Sequence, residues 1–244
     1  MTKDMTWLKD ALIAHRGLHT KDGTVPENSR TAFKEAIAHG YAIETDVNIL
    51  KDGTVVCFHD PGLKRMTGRE GLLKDMTFDE LDNVRLKGTD QTIMTFDAFL
   101  DLVDGRVPVL VEIKPYGDRR LLVRQVAERL LAYRGRSAVF SFHPAVVLML
   151  KNRYPTLIRG QIAESFKDGN HVNGLQAKMM ERMVFNRFTK PDFISYGIKD
   201  LPNRHADRAK DTGLVVISYV ARTQDDLDRV KTFYDNAVFE FFTP

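Results

Sequence analysis

The sequence predicts an α/β protein built as a (β/α)8 TIM barrel, and three observations carry that prediction. Short runs rich in β-branched and aromatic residues alternate with longer amphipathic segments through nearly the whole chain. Eight such runs can be counted, with helix-like stretches between them. The length, 244 residues, is close to the roughly 250 typical of such a barrel. A composition of 43% hydrophobic and 28% charged residues belongs to a globular chain with a real core, and excludes a disordered or fibrous one.

Taken in order, the apolar run Ala11-Leu12-Ile13-Ala14 closed by a polar residue predicts the first strand over Ala11 to His15, followed by a helix over Ser29 to His39. The second strand is expected at Tyr41 to Val47 and the third at Val107 to Ile113, the latter followed by a helix over Asp118 to Tyr133. Ala138 to Phe142 is the fourth strand and Pro144 to Arg153 its helix; Leu157 to Ile162 is the fifth, with Val172 to Phe188 helical. The last three strands, Asp192 to Tyr196, Leu214 to Val220 and Ala237 to Phe241, are separated by helical patterns at Pro202 to Asp211 and Gln224 to Tyr234.

Two regions depart from simple alternation. The second strand runs on into Asn48-Ile49-Leu50-Lys51, meets Asp52-Gly53 and returns as Thr54-Val55-Val56-Cys57-Phe58, a β-hairpin extension. Asp-Gly between such runs predicts a two-residue turn, which pairs Lys51 with Thr54 and therefore sets Asp46 opposite His59. Residues 61 to 104 then carry two short helix patterns, Phe78 to Leu86 and Phe96 to Val103, with no convincing barrel strand, and read as a helical excursion over the barrel mouth. No linker-like stretch divides the chain, so residues 1 to 244 are expected to form a single domain.

Thirty-six Lys and Arg against 33 Asp and Glu leave a net charge of +3, with the two signs interspersed, which argues against a nucleic-acid partner. The single cysteine, Cys57, allows no intrachain disulfide, and Met1 to His15 holds too short an apolar run for a signal-peptide core. No stretch approaches the roughly 18 apolar residues of a transmembrane segment. A cytoplasmic protein is expected; oligomeric state is not legible.

Active sites of such barrels lie where the strands end, so the polar residues there are the candidates. They are His15-Arg16-Gly17, Glu44-Thr45-Asp46, His59-Asp60 and Glu112-Ile113-Lys114. Residues two apart on a strand share a face, which brings Glu44 to the side of Asp46 and Glu112 to that of Lys114. Each acid alone is as well explained by a surface or salt-bridged position. Three together, at the ends of apolar strands and with no cysteine among them, suit a hard divalent cation, Mg²⁺ or Ca²⁺, with Glu44, Asp46 and Glu112 as ligands. His15 and His59 fit proton transfer on either side of a bound phosphate, and Arg16 and Lys114 supply fixed positive charge to its oxygens. Asp60 either orients His59 or caps the Pro61-Gly62 turn. His19, His39, His143, His171 and His205 read as structural.

The order His15-Arg16-Gly17, Pro26-Glu27-Asn28-Ser29, Glu44-Thr45-Asp46, Lys51-Asp52-Gly53, His59-Asp60 and Glu112-Ile113-Lys114 resembles the glycerophosphodiester phosphodiesterase family. The resemblance covers the first half closely, Ser141-Phe142 resembles a later strand motif, and the last third matches in outline. Where the family carries Trp-Thr-Val-Asn and Thr-Asp-x-Pro, this chain reads Ser218-Tyr219-Val220-Ala221 and Phe241-Phe242-Thr243-Pro244. The resemblance implies metal-dependent hydrolysis of a small-molecule glycerophosphodiester to glycerol 3-phosphate and an alcohol, with water or the glycerol 2-hydroxyl attacking and the two histidines sharing the proton transfers.

Two other readings compete. One is a lysophospholipase D or phospholipase D of the same barrel type. Leu175, Met179 and Met183 recur at four-residue spacing among Lys178, Arg182 and Arg187, as in a basic lipid-facing lid, although a stripe packed on the barrel explains that spacing better. The other is a barrel that binds phosphodiesters without turning them over, which requires every catalytic candidate to have been kept without use.

Overall fold

A computed structural model describes residues 3–165 and 174–244. The described elements are, in chain order, α1 (Thr6–Asp10), β1 (Ile13–Ala14), α2 (Arg30–Ala38), β2 (Ala42–Ile49), β3 (Val55–Cys57), α3 (Lys64–Thr67), α4 (Phe78–Leu81), β4 (Met94–Thr95), α5 (Phe96–Val103) and β5 (Val109–Ile113). There follow α6 (Arg119–Ala132), β6 (Ser137–Ser141), α7 (Pro144–Arg153), β7 (Ile158–Ala163), α8 (Gly174–Glu181), α9 (Asn186–Thr189), β8 (Phe193–Gly197), α10 (Arg204–Asp211), β9 (Val215–Ala221), α11 (Gln224–Phe233) and β10 (Asn236–Phe239). The fold class is a (β/α)8 barrel, whose strands are β1, β2 and β5 to β10, with β3 and β4 added. The chain divides into two compact units, residues 13–139 and residues 1–12 with 140–244.

In the unit of residues 13–139, β2 is the organising strand. It pairs in parallel with β1 at Ala42 and Ile43 and with β5 from Ile43 to Val47. All eight of its residues are buried, because it is covered on both faces as parallel strands usually are. Its far end, Val47 to Ile49, pairs antiparallel with β3, and β3 pairs with β4. The β4 strand lies in the excursion, where the sequence predicted no barrel strand, and it is an added strand paired with β3. The excursion has a small core of its own, in which Leu50, Val56 and Phe58 of the hairpin pack on Leu63, Leu73, Leu81, Val84, Leu86 and Ile93.

The hairpin corrects the expected register. Observed pairs are Val47 with Cys57, Asn48 with Val56 and Ile49 with Val55, and the Leu50 amide donates to the Thr54 carbonyl. The loop is therefore three residues, Lys51-Asp52-Gly53, and extending that register sets Phe58, not His59, opposite Asp46. The reason lies at Asp52. A two-residue type I′ turn needs positive φ at both central residues, and only Gly53 has it, at +89°. Asp52 instead accepts hydrogen bonds from the amides of Thr54 and Phe78, which tie the loop to the start of α4. Gly53 in the left-handed region ends the three-residue loop.

In the other unit, β7 to β10 are parallel, with β8 pairing with β7 and β9, and β9 with β10. The helix predicted over Val172 to Phe188 is two helices, α8 and α9, broken at Met183, whose φ is +51°. Met183 is buried while Leu175 stands 71% exposed, so the supposed stripe does not share one face. Val172 and His171 lie outside the described residues. Among those residues no helix is long and apolar enough to cross a membrane.

Candidate active site

All the predicted site residues fall in the unit of residues 13–139. Glu44 and Asp46 alternate along β2 to one face, and the parallel register sets Asp46 beside Glu112 of β5. Each of the three acids offers a carboxylate oxygen within 4.8 Å of those of the other two, and all three side chains are buried.

The loop after β1 closes over this cluster. Arg16 and Gly17 both adopt left-handed backbone, with φ of +54° and +78°. At Gly17 the conformation is obligatory, since a Cβ there would lie 2.8 Å from the Ala32 carbonyl carbon. The turn aims the Arg16 amide at Glu44 Oε2, 3.0 Å away, and sets His15 Nε2 3.9 Å from the same oxygen. Arg16 Nε stands 3.1 Å from Asp46 Oδ2, and its Nη1 donates to Glu27 Oε1 at 2.7 Å. Lys114, two residues beyond Glu112, sets its Nζ 2.7 Å from Glu112 Oε1 and 3.3 Å from Asp46 Oδ1.

Burial and these neighbouring charges push the groups of the cluster in different directions. Burial raises the Glu44 carboxyl well above its ordinary value, and the neighbouring Asp46 and Glu112 raise it further. Glu112 is also raised by burial, against the pull of Lys114. Asp46 goes the other way, because Lys114 and Arg16 outweigh its burial. Burial alone would lower Lys114, yet Glu112 and Asp46 hold it charged. Glu44 Oε1 is completely buried and receives no hydrogen bond among the described residues. Two acids driven toward protonation and a buried lone oxygen fit a site for a hard divalent cation, whose charge would replace the missing counter-charge.

His59 comes one residue after the last hairpin ladder bond, from the Phe58 amide to the Asp46 carbonyl at 2.9 Å, so the hairpin brings its backbone up to the β2 acids. Its imidazole lies near enough to Asp46 and Glu112 for its charge to lower both carboxyls. Asn48, buried on β2, donates to the Phe58 carbonyl at 2.6 Å and fixes the backbone leading into His59. His59 Nδ1 stands 2.7 Å from Asp60 Oδ1. Burial would raise Asp60, but His59 and Arg65 hold it well below the carboxylate range, so it is ionised and accepts a hydrogen bond from Nδ1–H. Nε2 is left for chemistry on a substrate.

Sequence reasoning missed the partners behind these groups. Arg65 of α3 donates from Nε to Asp60 Oδ2 at 2.6 Å and from Nη2 to Asp60 Oδ1 at 2.9 Å. The same guanidinium grips Glu27 through Nη1 at 2.8 Å and Nη2 at 2.7 Å. A chain of alternating charges thus runs Asp46, Arg16, Glu27, Arg65, Asp60, His59. Asn28, with φ of +53°, donates to Asp46 Oδ2 at 3.0 Å and accepts from the Thr45 hydroxyl at 2.8 Å. Glu27 and Asn28 stood in a quoted motif without an assigned role; Arg65 carried no sequence signal.

His19 is buried with its ring centroid 6.2 Å from that of His15. His39 is an exposed ring stacked on Tyr41, and His143 caps α7 by accepting the Ala145 amide. His205 lies in a basic cleft of the other unit.

Known proteins resemble this chain in sequence and in fold. Among curated proteins, the glycerophosphodiester phosphodiesterase of Caldanaerobacter subterraneus subsp. tengcongensis is 36% identical over 131 residues, 52% of this chain and 49% of that protein. The Bacillus altitudinis glycerophosphodiester phosphodiesterase is 44% identical over 110 residues, 42% of this chain and 44% of that protein. The matches thus span about half the length of these curated relatives. A phosphodiesterase of Oleispira antarctica, solved with the product sn-glycerol-3-phosphate, superposes with a TM-score of 0.80 at 20% identity, covering 97% of this chain and 94% of that one. For the glycerophosphodiester phosphodiesterase of Thermotoga maritima the TM-score is 0.73 at 20% identity, over 94% and 93% of the two chains. At such identities the likeness is one of fold. The glycerophosphoryl diester phosphodiesterase family pattern runs from His15 to Phe239, taking in every residue of the carboxylate cluster, and the chain belongs to that family.

Proposed function

We propose that this protein hydrolyses glycerophosphodiesters to glycerol 3-phosphate and a free alcohol, with Glu44, Asp46 and Glu112 holding a divalent cation, Mg²⁺ or Ca²⁺. The observation that carries the reading is the meeting of three buried carboxylates with two histidines and two fixed cations in one unit. Family membership and the names of the relatives support it.

When bound, the cation supplies charge neutralisation and polarisation of a phosphoryl oxygen. The chain's own groups do the rest. Arg16 and Lys114, both held charged by the acids around them, bind the other phosphate oxygens and offset the charge that grows on them as the attacking oxygen adds. Lys114 is fixed between Glu112 and Asp46, so it costs little to hold in place. One of His15 and His59 takes the proton of the attacking oxygen and the other protonates the departing alcohol. Asp60 keeps the His59 ring oriented and its Nδ1 protonated, and Arg65 keeps Asp60 in place.

The test is release of choline from glycerophosphocholine with Mg²⁺ or Ca²⁺ added, alongside the generic diester bis(4-nitrophenyl) phosphate. No turnover of either, nor of lysophosphatidylcholine, in protein shown to bind the cation would leave the non-catalytic binding barrel as the surviving reading. Exposure of Leu175 and Phe188 beside Lys178 and Arg187 is the observation favouring an acyl-bearing diester, so lysophosphatidylcholine belongs in the same assay.

A further inference from the structure

The unit formed by residues 1–12 and 140–244 carries a second concentration of charge that the proposed reaction does not use. Arg182 follows α8, and Arg204, His205 and Arg208 lie in the first two turns of α10. These four side chains line a cleft of 290 Å³. The three arginines are exposed, and among the described residues no carboxylate forms an ion pair with any of them. Arg204 Nε stands 3.4 Å from His205 Nε2. Burial lowers the His205 imidazole, and Arg204, Arg182 and Arg208 lower it further, with Glu181 opposing them. All three guanidinium groups therefore act on one imidazole.

Three like charges around a cleft repel, and a dianion is what relieves the repulsion. The fork of each guanidinium matches two oxygens of a phosphate group. The α10 N-terminus is not the attraction, because the amides of His205 and Ala206 are already taken by Asn203 Oδ1. An adjoining cleft of 390 Å³ shares Arg204 and His205 and continues along Glu181, Tyr196, Asp200 and Asn203. Beyond Arg204 and His205 the groove thus offers Glu181 and Asp200 as acceptors, with Lys199 between them in the chain.

We propose that Arg182, Arg204, His205 and Arg208 form a binding site for a phosphomonoester, whose hydroxyl- or amine-bearing alcohol portion lies along Glu181 and Asp200. The site shares no residue with the carboxylate cluster and stands whether or not the proposed hydrolysis is correct. Its ligand chemistry is met both by a soluble phosphomonoester and by the headgroup of phosphatidic acid.

The test follows the ring protons of His205 by NMR, identified by their loss in H205Q. In the full-length protein, saturating inorganic phosphate or glycerol 3-phosphate is expected to raise the pH midpoint of His205 by about one unit, since an anion nearby favours the imidazolium. Sodium chloride at equal ionic strength is expected to leave it within a few tenths. R204Q/R208Q, with an unchanged thermal midpoint, is expected to weaken phosphate binding at least tenfold; if that variant does not fold, R182Q, on a separate segment, takes its place. Co-sedimentation with phosphatidylcholine vesicles containing phosphatidic acid, lost in the same variant, assigns the headgroup. Saturation by glycerol 3-phosphate without vesicle binding assigns a soluble ligand. A His205 midpoint that phosphate does not move, or equal binding by the variant, overturns the proposal.

Discussion

Replacing Arg65 by alanine removes the guanidinium that ties Asp60 to Glu27, and with it the support of His59. Four charge-assisted hydrogen bonds, 2.6 to 2.9 Å long, are lost at once. Arg65 itself is 46% exposed, whereas Glu27 and Asp60 are 12% and 20% exposed. An exposed pair is worth about 0.2–1 kcal/mol, and stranding one partner of a fully buried pair costs about 3–5 kcal/mol. For a solvent-screened arginine on two mostly buried acids, about 1–3 kcal/mol of stability is expected to go. Turnover is expected to fall about 10–100-fold, the usual effect of losing a group that orients an active residue from behind. The sign with pH follows from the carboxyls. Burial works to raise both Glu27 and Asp60, but their cationic partners win and hold both below their ordinary values. Their stabilisation is therefore complete above the unfolded-state values near pH 4 and is lost as pH falls through the folded-state values. The gap between wild type and R65A should be widest near neutrality, begin to narrow below about pH 4, and close only as pH falls through the depressed folded-state values of the two acids. Urea titrations at several pH values and steady-state kinetics measure both effects. R65K keeps the charge without the fork and should recover less than half of the lost stability. Wild-type turnover and stability in R65A would refute the orienting chain.

Other outcomes follow from the same geometry. EDTA should abolish hydrolysis and added Mg²⁺ or Ca²⁺ restore it, while E44Q, D46N and E112Q should each lose orders of magnitude; full activity in chelated protein would contradict the ligand assignment. H15A and H59A should each lower turnover of glycerophosphocholine about 10²–10⁴-fold, and whichever residue is the acid should matter much less with a 4-nitrophenyl leaving group, which departs without a proton. Equal sensitivity of both variants on both substrates would contradict the division of roles. The Cys57 thiol is fully buried and pushed up to about 12, so Ellman's reagent should label it only on unfolding; rapid labelling of native protein would mean that β3 opens locally.

Much of the fold was legible because a parallel strand buried on both faces must be written as an apolar run. Each of the eight barrel strands falls within two residues of its expected position at one end or the other, and α5 and α7 begin or end where periodicity placed them. What escaped was set by contacts distant in sequence. The two-residue strand β4 is too short for any period to register and exists because β3 offers it an edge. The hairpin register turned on Asp52 accepting the Phe78 amide, 26 positions away, which favours a three-residue loop over the turn that Asp-Gly suggests by itself. The broken helix around Met183 was hidden by a stripe of apolar residues whose spacing is helical although the backbone is not.

For the site, the lesson lies in the difference between bearing charge and being held. Groups at strand ends announce themselves, since an ionisable residue closing an apolar run has few structural excuses. Glu44, Asp46 and Glu112 gather because register leaves them no alternative once β2 and β5 pair in parallel. His59 is a different case: the observed register sets Phe58, not His59, opposite Asp46, yet the Phe58 ring packs in the excursion core. His59 bears on the cluster because the hairpin ladder runs on to the Phe58 amide, which donates to the Asp46 carbonyl, Asn48 holds the Phe58 carbonyl, and Asp60 with Arg65 fixes the ring. The excursion that looked like a simple covering thus contributes the arginine on which a proposed proton-transfer residue depends. If that dependence holds, shortening the excursion around α3 should damage turnover while sparing cation binding at the carboxylates, which rests on β2 and β5 alone.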